Sequence, residues 1–163
     1  MATSTTTSVW RSGGGDTTKT AYAGSMLMVA DFYFSATGAA NTKVQKSSSD
    51  TNNVILPVGA IITEIQANAA GTGGTNPTFD MGFTLYTTGT TNAATLLNEA
   101  DADAGKQVFT WATATVPGAN LGAVMSASEM VYITGSVGAS AATGGSISGR
   151  ITYYVPTSGA YTA

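Results

Sequence analysis

The densest group of side chains that could do chemistry is an acidic stretch in the second half of the chain. Glu99, Asp101 and Asp103 alternate with alanines, and Asn98 precedes them. Calcium takes about six to eight oxygen ligands from carboxylates, amides and carbonyls, so these three acids are weak candidates for a metal site. The stretch lacks the glycine-bearing loop and terminal glutamate of an EF-hand. A solvated acidic loop, or carboxylates at a helix N-terminus, explains the same residues, and we therefore assign no metal site.

Residues suited to catalysis are scarce. The chain has no histidine and no cysteine, which removes the commonest general base and every thiolate metal ligand. Serine and threonine nucleophiles need a base within hydrogen-bond reach, and a glycosidase needs one carboxylic acid whose pKa is raised by burial. The glycine-rich segments 13–15, 71–74 and 144–145 lack the Gly-Lys-Ser/Thr of a phosphate-binding loop. We predict that the protein is not an enzyme and needs no cofactor.

Aromatic side chains are better candidates for function, as contacts to a partner. Trp10 stands beside Arg11 near the N-terminus, and Tyr154 and Tyr161 lie near the C-terminus. Tryptophan, tyrosine and arginine are typical of interface hot spots, so we predict that these four residues contact a partner. Tyr154 follows Tyr153, and neighbours on a strand point to opposite faces, so one of the two is expected to face outward. Carbohydrate sites also use exposed aromatic faces, so a sugar-binding role stays open.

The elements that must position these residues are strands, because apolar and polar residues alternate over most of the chain. Within 61–69, Ile61 and Ile65 are predicted to face one side and Ile62 the other. The predicted strands are 26–34, 54–56, 61–69, 79–86, 106–113, 130–137 and 146–155.

Two connections complete this secondary structure. Segments 61–69 and 79–86 flank a loop dense in Gly, Thr and Asn, which predicts that the two strands form a hairpin. Segment 94–104 has helix-like composition, and we expect a single helical turn there. A total of about eight strands, spaced too tightly for βαβ units, predicts an all-β antiparallel sandwich or barrel.

The first 24 residues differ from the rest in composition. They are rich in Thr, Ser and Gly, with Trp10 as a large apolar anchor. Such a segment buries too little apolar surface to order itself, so we predict a flexible N-terminal arm over 1–24 and a β-sandwich domain over 25–163. Fully extended, the arm would reach at most about 80 Å. The alternative is a frayed terminus without a role.

Sparse charge is the main feature of the composition. Hydrophobic residues make up 43% of the chain and charged residues only 9%, and interface cores are similarly depleted in charge. We infer that neighbours cover part of the surface, although a secreted, threonine-rich monomer would share this composition. The six basic residues are spread along the chain, so nucleic-acid binding is not expected. No apolar stretch approaches the roughly 20 residues of a membrane span, so no membrane partner is expected either.

Four motifs resemble small structural proteins of tailed phages. The segment 55–65 reads Ile-Leu-Pro-Val-Gly-Ala-Ile-Ile-Thr-Glu-Ile and is similar to an Ile-Leu-Pro-x-Gly-Ala-Ile-Ile motif of those proteins. The others are Gly-Thr-Asn-Pro-Thr at 74–78, Leu-Leu-Asn-Glu-Ala-Asp at 96–101 and Gly-Arg-Ile-Thr-Tyr-Tyr-Val at 149–155. The resemblance covers roughly residues 54–156. On these motifs the chain resembles the capsid decoration, or cement, proteins of tailed phages.

The resemblance implies a jelly-roll β-sandwich that forms homotrimers on the outer surface of the virion. Proteins of this family clamp neighbouring major capsid subunits at threefold or quasi-threefold positions, and their N-terminal arms reach over the capsid or into an adjacent protomer. The expected partners are therefore the major capsid protein and further copies of the chain. The same fold and trimeric state would also serve a receptor- or glycan-binding module of a head fibre or tail fibre.

Overall fold

Strands account for all the regular secondary structure in the part of the chain that the structure describes. The computed structural model describes residues 27–37, 41–110, 118, 120–138 and 140–156. These ranges contain no helix that is long and apolar enough to cross a membrane. The strands are β1 (Met28–Ser35), β2 (Thr42–Lys43), β3 (Ile55–Leu56), β4 (Ile61–Ala70), β5 (Thr78–Leu85), β6 (Thr91–Asp101), β7 (Lys106–Thr110), β8 (Val131–Val137) and β9 (Ser146–Tyr154).

These strands form two antiparallel sheets that pack face to face. The four-stranded sheet has the order β1-β9-β4-β7, and the five-stranded sheet has the order β2-β8-β5-β6 with β3 also paired to β8. Strands that are neighbours in sequence mostly belong to different sheets, and this interleaved order is that of a jelly roll. The predicted all-β antiparallel sandwich is confirmed.

The core lies between the sheets and consists of the side chains at every second position of most strands. On β5, Phe79, Met81 and Phe83 are buried, as their alternation predicts, and on β9 Ile147 and Ile151 are fully buried. Burial of side chains of this size stabilises the fold by about 1.5–3 kcal/mol each, an upper estimate because the unfolded chain is already partly compact.

A β-bulge in β4 changes the predicted facing of its first residues. Ile62 pairs with Tyr153 but Glu64 pairs with Thr152, so Thr63 is an extra residue in the ladder. Its hydroxyl donates to the carbonyl of Thr152 at 3.2 Å. The extra residue shifts the alternation by one position, so Ile62 and Ile65 are both fully buried. The prediction that they face opposite sides is wrong.

The predicted hairpin of 61–69 and 79–86 is also wrong. Strand β4 pairs with β7 and β9, whereas β5 pairs with β6 and β8 in the other sheet. The turn-rich loop between β4 and β5 therefore crosses from one sheet to the other. A turn signal marks where the chain reverses but does not say which strand lies next to which.

The segment with helix-like composition is a strand. Strand β6 covers most of it, and its register against β5 shifts between Phe79 and Met81 and again between Met81 and Phe83. Ala94 and Glu99 take positive φ angles of 55° and 54°, which lets β6 bulge while Leu96 and Leu97 are fully buried. Cross-strand packing has overridden the local helix propensity.

Candidate partner-binding surface

Exposed apolar side chains concentrate at one end of the sandwich. Of the eight large hydrophobic residues that are exposed in the described ranges, five lie where β1 and β4 begin and where β3 and β9 end. We call these five residues the basal patch: Leu27, Val29, Ile55, Val58 and Val124. A cluster of this kind on a soluble protein is typical of an interaction site.

The first strand supplies two residues of the patch. Phe32 and Phe34 on β1 face the core, so residues of the other parity, Val29 and Asp31, face outward. Leu27 is 64% exposed and Val29 is 58% exposed. Asp31 on the same face is also exposed and accepts a hydrogen bond from Nε of Arg150 at 3.2 Å. The outer face of β1 is therefore open along its whole first half.

A tight turn between β3 and β4 supplies two more. The backbone N–H of Ala60 donates to the carbonyl of Pro57 at 3.2 Å, and Gly59 has φ of 77°. Residues 57–60 thus form a β-turn with Pro57 at the first position and Gly59 at the third, which places Val58 at the tip. Leu56 and Ala60 are fully buried on either side of the turn. Burial of these flanking residues fixes the turn and leaves Ile55 and Val58 exposed.

Tyr154, a predicted partner contact, lies beside this patch. It pairs with Ile61 at the start of β4, and Ile61 forms an isolated bridge with Val124. Tyr154 has the parity of the outward residues of β9 and is partly exposed, whereas Tyr153 packs against the core. Burial raises the pKa of the Tyr153 hydroxyl. The other predicted contacts, Trp10, Arg11 and Tyr161, fall outside the described residues, as does the arm over 1–24.

A small cavity of about 350 Å³ opens within the patch. Its lining is mostly apolar, with one acidic and one basic residue: Val29, Ala30, Asp31, Lys46, Val54, Ile55 and Tyr153. Because β1 and β3 belong to different sheets, the cavity marks the open edge of the sandwich. A partner side chain could enter there and contact apolar groups from both sheets.

The acidic stretch does not assemble as the sequence suggests. Glu99 is tied to β5: its N–H donates to Oδ1 of Asp80 at 2.7 Å, and its carboxylate accepts from the hydroxyl of Thr78. Asp101 instead accepts from the N–H of Asp103 at 2.7 Å, as in a local turn. No group of three or more acidic, histidine or cysteine side chains in the described ranges is placed to hold a metal ion.

Asp80 is an acidic residue that sequence reasoning missed. Its burial raises the pKa of its carboxyl, the N–H of Glu99 opposes that rise, and the nearby charge of Glu99 adds to it. The alternation of β5 places Asp80 on the outward face, but only the pairing of β5 with β6 brings Glu99 beside it. The sequence predicts a helical turn over 94–104 and therefore does not place Glu99 beside Asp80.

A second exposed group lies on the outer face of the five-stranded sheet. The rings of Tyr86 and Tyr132 stack with centroids 4.9 Å apart, and Nζ of Lys43 lies 3.8 Å from the centroid of Tyr132. Nearby, Glu129 accepts hydrogen bonds from the N–H groups of Thr87 and Thr88. These contacts bind the turn between β5 and β6 to the segment before β8.

Comparisons with known proteins give one structural likeness. No family model matches the chain, and no curated protein is significantly similar to it. Among solved structures, a chain of the cyanophage Pam1 capsid asymmetric unit is 17% identical, with a TM-score of 0.46, over 82% of this chain and 87% of that one.

Proposed function

We propose that this chain is a structural protein of a phage virion that binds the outer capsid surface. In this role it stabilises the shell by clamping neighbouring major capsid subunits. It acts as a homotrimer at threefold or quasi-threefold positions, and it performs no catalysis. The observation that carries the proposal is the basal patch, an exposed apolar surface on a protein with very little charge.

The composition of the patch supports binding to protein. Its five residues are aliphatic, and Tyr154 stands at its margin. Apolar residues with an aromatic neighbour are typical of interface centres, and charged groups around them are typical of the polar rim. The charged neighbours of Val29 and Ile55 are Asp31, which pairs with Arg150, and Lys46, which lines the same cavity.

The sequence motif that carries the resemblance to decoration proteins forms part of this same surface. Its Leu56, Ala60 and Ile62 are fully buried, while Ile55 and Val58 are exposed in the patch. One short segment thus holds the sandwich together and presents a surface for a partner. The homotrimer and its threefold position rest on the resemblance alone.

The mechanism of a clamp is mechanical. A trimer presents three copies of the patch to several capsid subunits, so that a second contact forms at high effective concentration once the first has formed. Each contact is weak by itself. The linked set resists separation of the subunits, because all contacts must break before the trimer leaves.

The decisive experiment uses shells assembled from the major capsid protein of the genome that encodes this chain. Shells without the protein are mixed with an excess of it, and the complexes are imaged by electron cryo-microscopy with symmetry averaging. We expect density outside the shell at threefold or quasi-threefold positions. Shells that stay bare at saturating protein overturn the proposal, and so does density inside the shell.

A further inference from the structure

A groove beside the basal patch is separate from the apolar residues that carry the proposed clamp. It has a volume of about 740 Å³ and lies on the outer face of the four-stranded sheet. Its volume is within the range of small-molecule and cofactor sites. The groove and the basal patch adjoin, because Asp31 lines both the groove and the cavity within the patch.

The register of the sheet explains why this face is hollow. Tyr33, Ser148, Asn68 and Lys106 are direct neighbours across β1, β9, β4 and β7. All four have outward parity, and neighbouring strands lie about 4.8 Å apart. The two long side chains stand at the margins and the two short ones in the middle. Ser148 and Asn68 therefore form a floor between a wall of Tyr33 and a wall of Lys106.

The outward residues two positions further along the same four strands close one end of the groove. Asp31, Arg150, Gln66 and Val108 are neighbours across the same four strands. The Asp31 carboxylate and the Arg150 guanidinium pair with each other at 3.2 Å, so this end carries no surplus charge. Nε2 of Gln66 donates to Oε1 of Glu64 at 2.7 Å, and the carbonyl oxygen of the Gln66 amide is left to accept a ligand donor.

The chemistry of the lining matches an uncharged, hydroxyl-rich ligand. Amides and hydroxyls each offer donors and acceptors, as the hydroxyls of a sugar do. Such groups are those of Ser148 and Asn68 on the floor and of Gln66 at the closed end. Tyr33 adds a ring edge or face with a polar tip, which suits the mixed apolar and polar surface of a pyranose. Jelly rolls are also a common fold of lectins.

Two other classes of ligand fit less well. A protein partner would favour an apolar centre, and the centre here is serine and asparagine. A nucleic acid would need several unpaired cations along its backbone, and Lys106 is the only lining cation outside the Asp31–Arg150 pair.

We propose that this groove binds a neutral polysaccharide segment, with Tyr33 stacking on a sugar ring and Ser148, Asn68 and Gln66 bonding its hydroxyls. This binding is independent of the capsid. A phage-borne protein with such a site would hold the particle to an uncharged surface glycan. The inference stands or fails separately from the clamp.

The test uses the full chain and defined probes. Cellohexaose, maltohexaose, mannohexaose and chitohexaose are titrated into the protein by calorimetry, with hexagalacturonate as a charged comparison. We expect at least one neutral probe to bind, with an affinity that does not change between low and high salt because no ion pair is formed. Tyr33→Ala and Asn68→Ala should each weaken binding roughly tenfold, since loss of one stacking or bidentate contact is of that order.

Matched variants separate the groove from general effects. Tyr86→Ala removes an exposed tyrosine from the other sheet and should leave binding unchanged. Ser148→Tyr places a large side chain on the floor of the groove and should abolish binding. Because Ser148 faces away from the core, the melting temperature should not fall. Failure of all four neutral probes at millimolar concentration overturns the inference, as does binding of hexagalacturonate alone or an equal loss in Tyr86→Ala and Tyr33→Ala.

Discussion

The ring of Phe34 occupies the space that a side chain on Gly135 would fill. Phe34 is on β1 and Gly135 is on β8, so the contact joins the two sheets. A Cβ built on Gly135 would lie 2.8 Å from three ring carbons of Phe34, closer than such atoms pack. Phe34 in turn packs on Phe32 and Phe79, with centroids 6.4 and 6.2 Å away. The glycine lets this aromatic row enter the core.

Substitution of Gly135 by alanine should therefore destabilise the fold. Phe34 is buried and held by two other rings, so it cannot move away cheaply, and we expect a loss of about 1–3 kcal/mol in the free energy of unfolding. Urea denaturation measures it. Gly144→Ala is the matched control, because a Cβ there would meet its nearest atom at 3.5 Å. Equal stability of the two variants would show that the ring does not depend on the glycine.

The sequence predicts the class of this fold but not which strands are neighbours. Alternation is a local property, so it identifies β5 and β9 and the faces of their residues. Pairing is set by contacts between distant segments. The loop after β4 therefore looks like a hairpin turn although it joins two sheets. The bulge at Thr63 has no local signal either, because one extra residue is visible only against Tyr153 and Thr152 of the partner strand.

The candidate surface was only partly visible in the sequence. Because β1 is mostly apolar, its sequence suggests that both faces are buried. Burial of the Asp31 carboxylate would then carry a desolvation cost. Its exposure beside Arg150 removes that cost, and residues two and four positions before it share its face. The parity of Asp31 was thus an unused signal that Val29 and Leu27 are exposed. Which of Val58 and its neighbours is exposed depends on the turn geometry around Gly59, which hydrophobicity alone does not report.

Loss of one methyl group from the basal patch should weaken capsid binding without affecting stability. Val29→Thr keeps the shape of the side chain and replaces a methyl by a hydroxyl, at a cost of about 1 kcal/mol for each contact that buries it. In a trimer the loss is multiplied over three contacts. Val108→Thr is the control, because Val108 is 55% exposed, close to the 58% of Val29, but on the opposite edge strand. Occupancy on imaged shells measures both, and an equal effect at Val108 would contradict the assignment.

Deletion of residues 1–24 tests the proposed arm. The buried cluster of the described residues begins at Phe32, after the proposed arm, so we expect the truncated chain to keep the melting temperature of the full chain. Capsid affinity should fall, because Trp10 and Arg11 would no longer contact the shell. Trp10→Ala in the full chain separates loss of the anchor from loss of length. Unchanged affinity of the truncated protein would refute the arm, and solution mass of both proteins reports whether the arm also holds the trimer.

The Asp80 carboxyl should make the fold less stable as pH rises through the acid range. Burial raises the pKa of Asp80 in the folded chain above the ordinary value of 3.8, which the unfolded chain keeps. At a pH between the ordinary and the raised pKa, the unfolded chain has already lost a proton that the folded chain still holds. Stability therefore falls with rising pH in that window. Asp80→Asn keeps an oxygen to accept from the N–H of Glu99 and removes the charge. We expect the variant to equal the wild type near pH 3 and to exceed it at pH 7, measured by urea denaturation across this range.

Glu129 should show the opposite dependence. Hydrogen bonds from the N–H groups of Thr87 and Thr88 lower the pKa of this carboxyl below its ordinary value of 4.5. As pH falls, the unfolded chain therefore takes up a proton before the folded chain does. The stabilisation that the ionised Glu129 gives is complete above pH 4.5 and is lost as pH falls through the lowered pKa of the folded chain. Glu129→Gln should be less stable than the wild type at pH 7 and should approach it in acid. The hydrogen bonds fix the turn between β5 and β6, so amide exchange at Thr87 and Thr88 should quicken in the variant. A pH-independent difference would mean that the side chain acts by packing and not by charge.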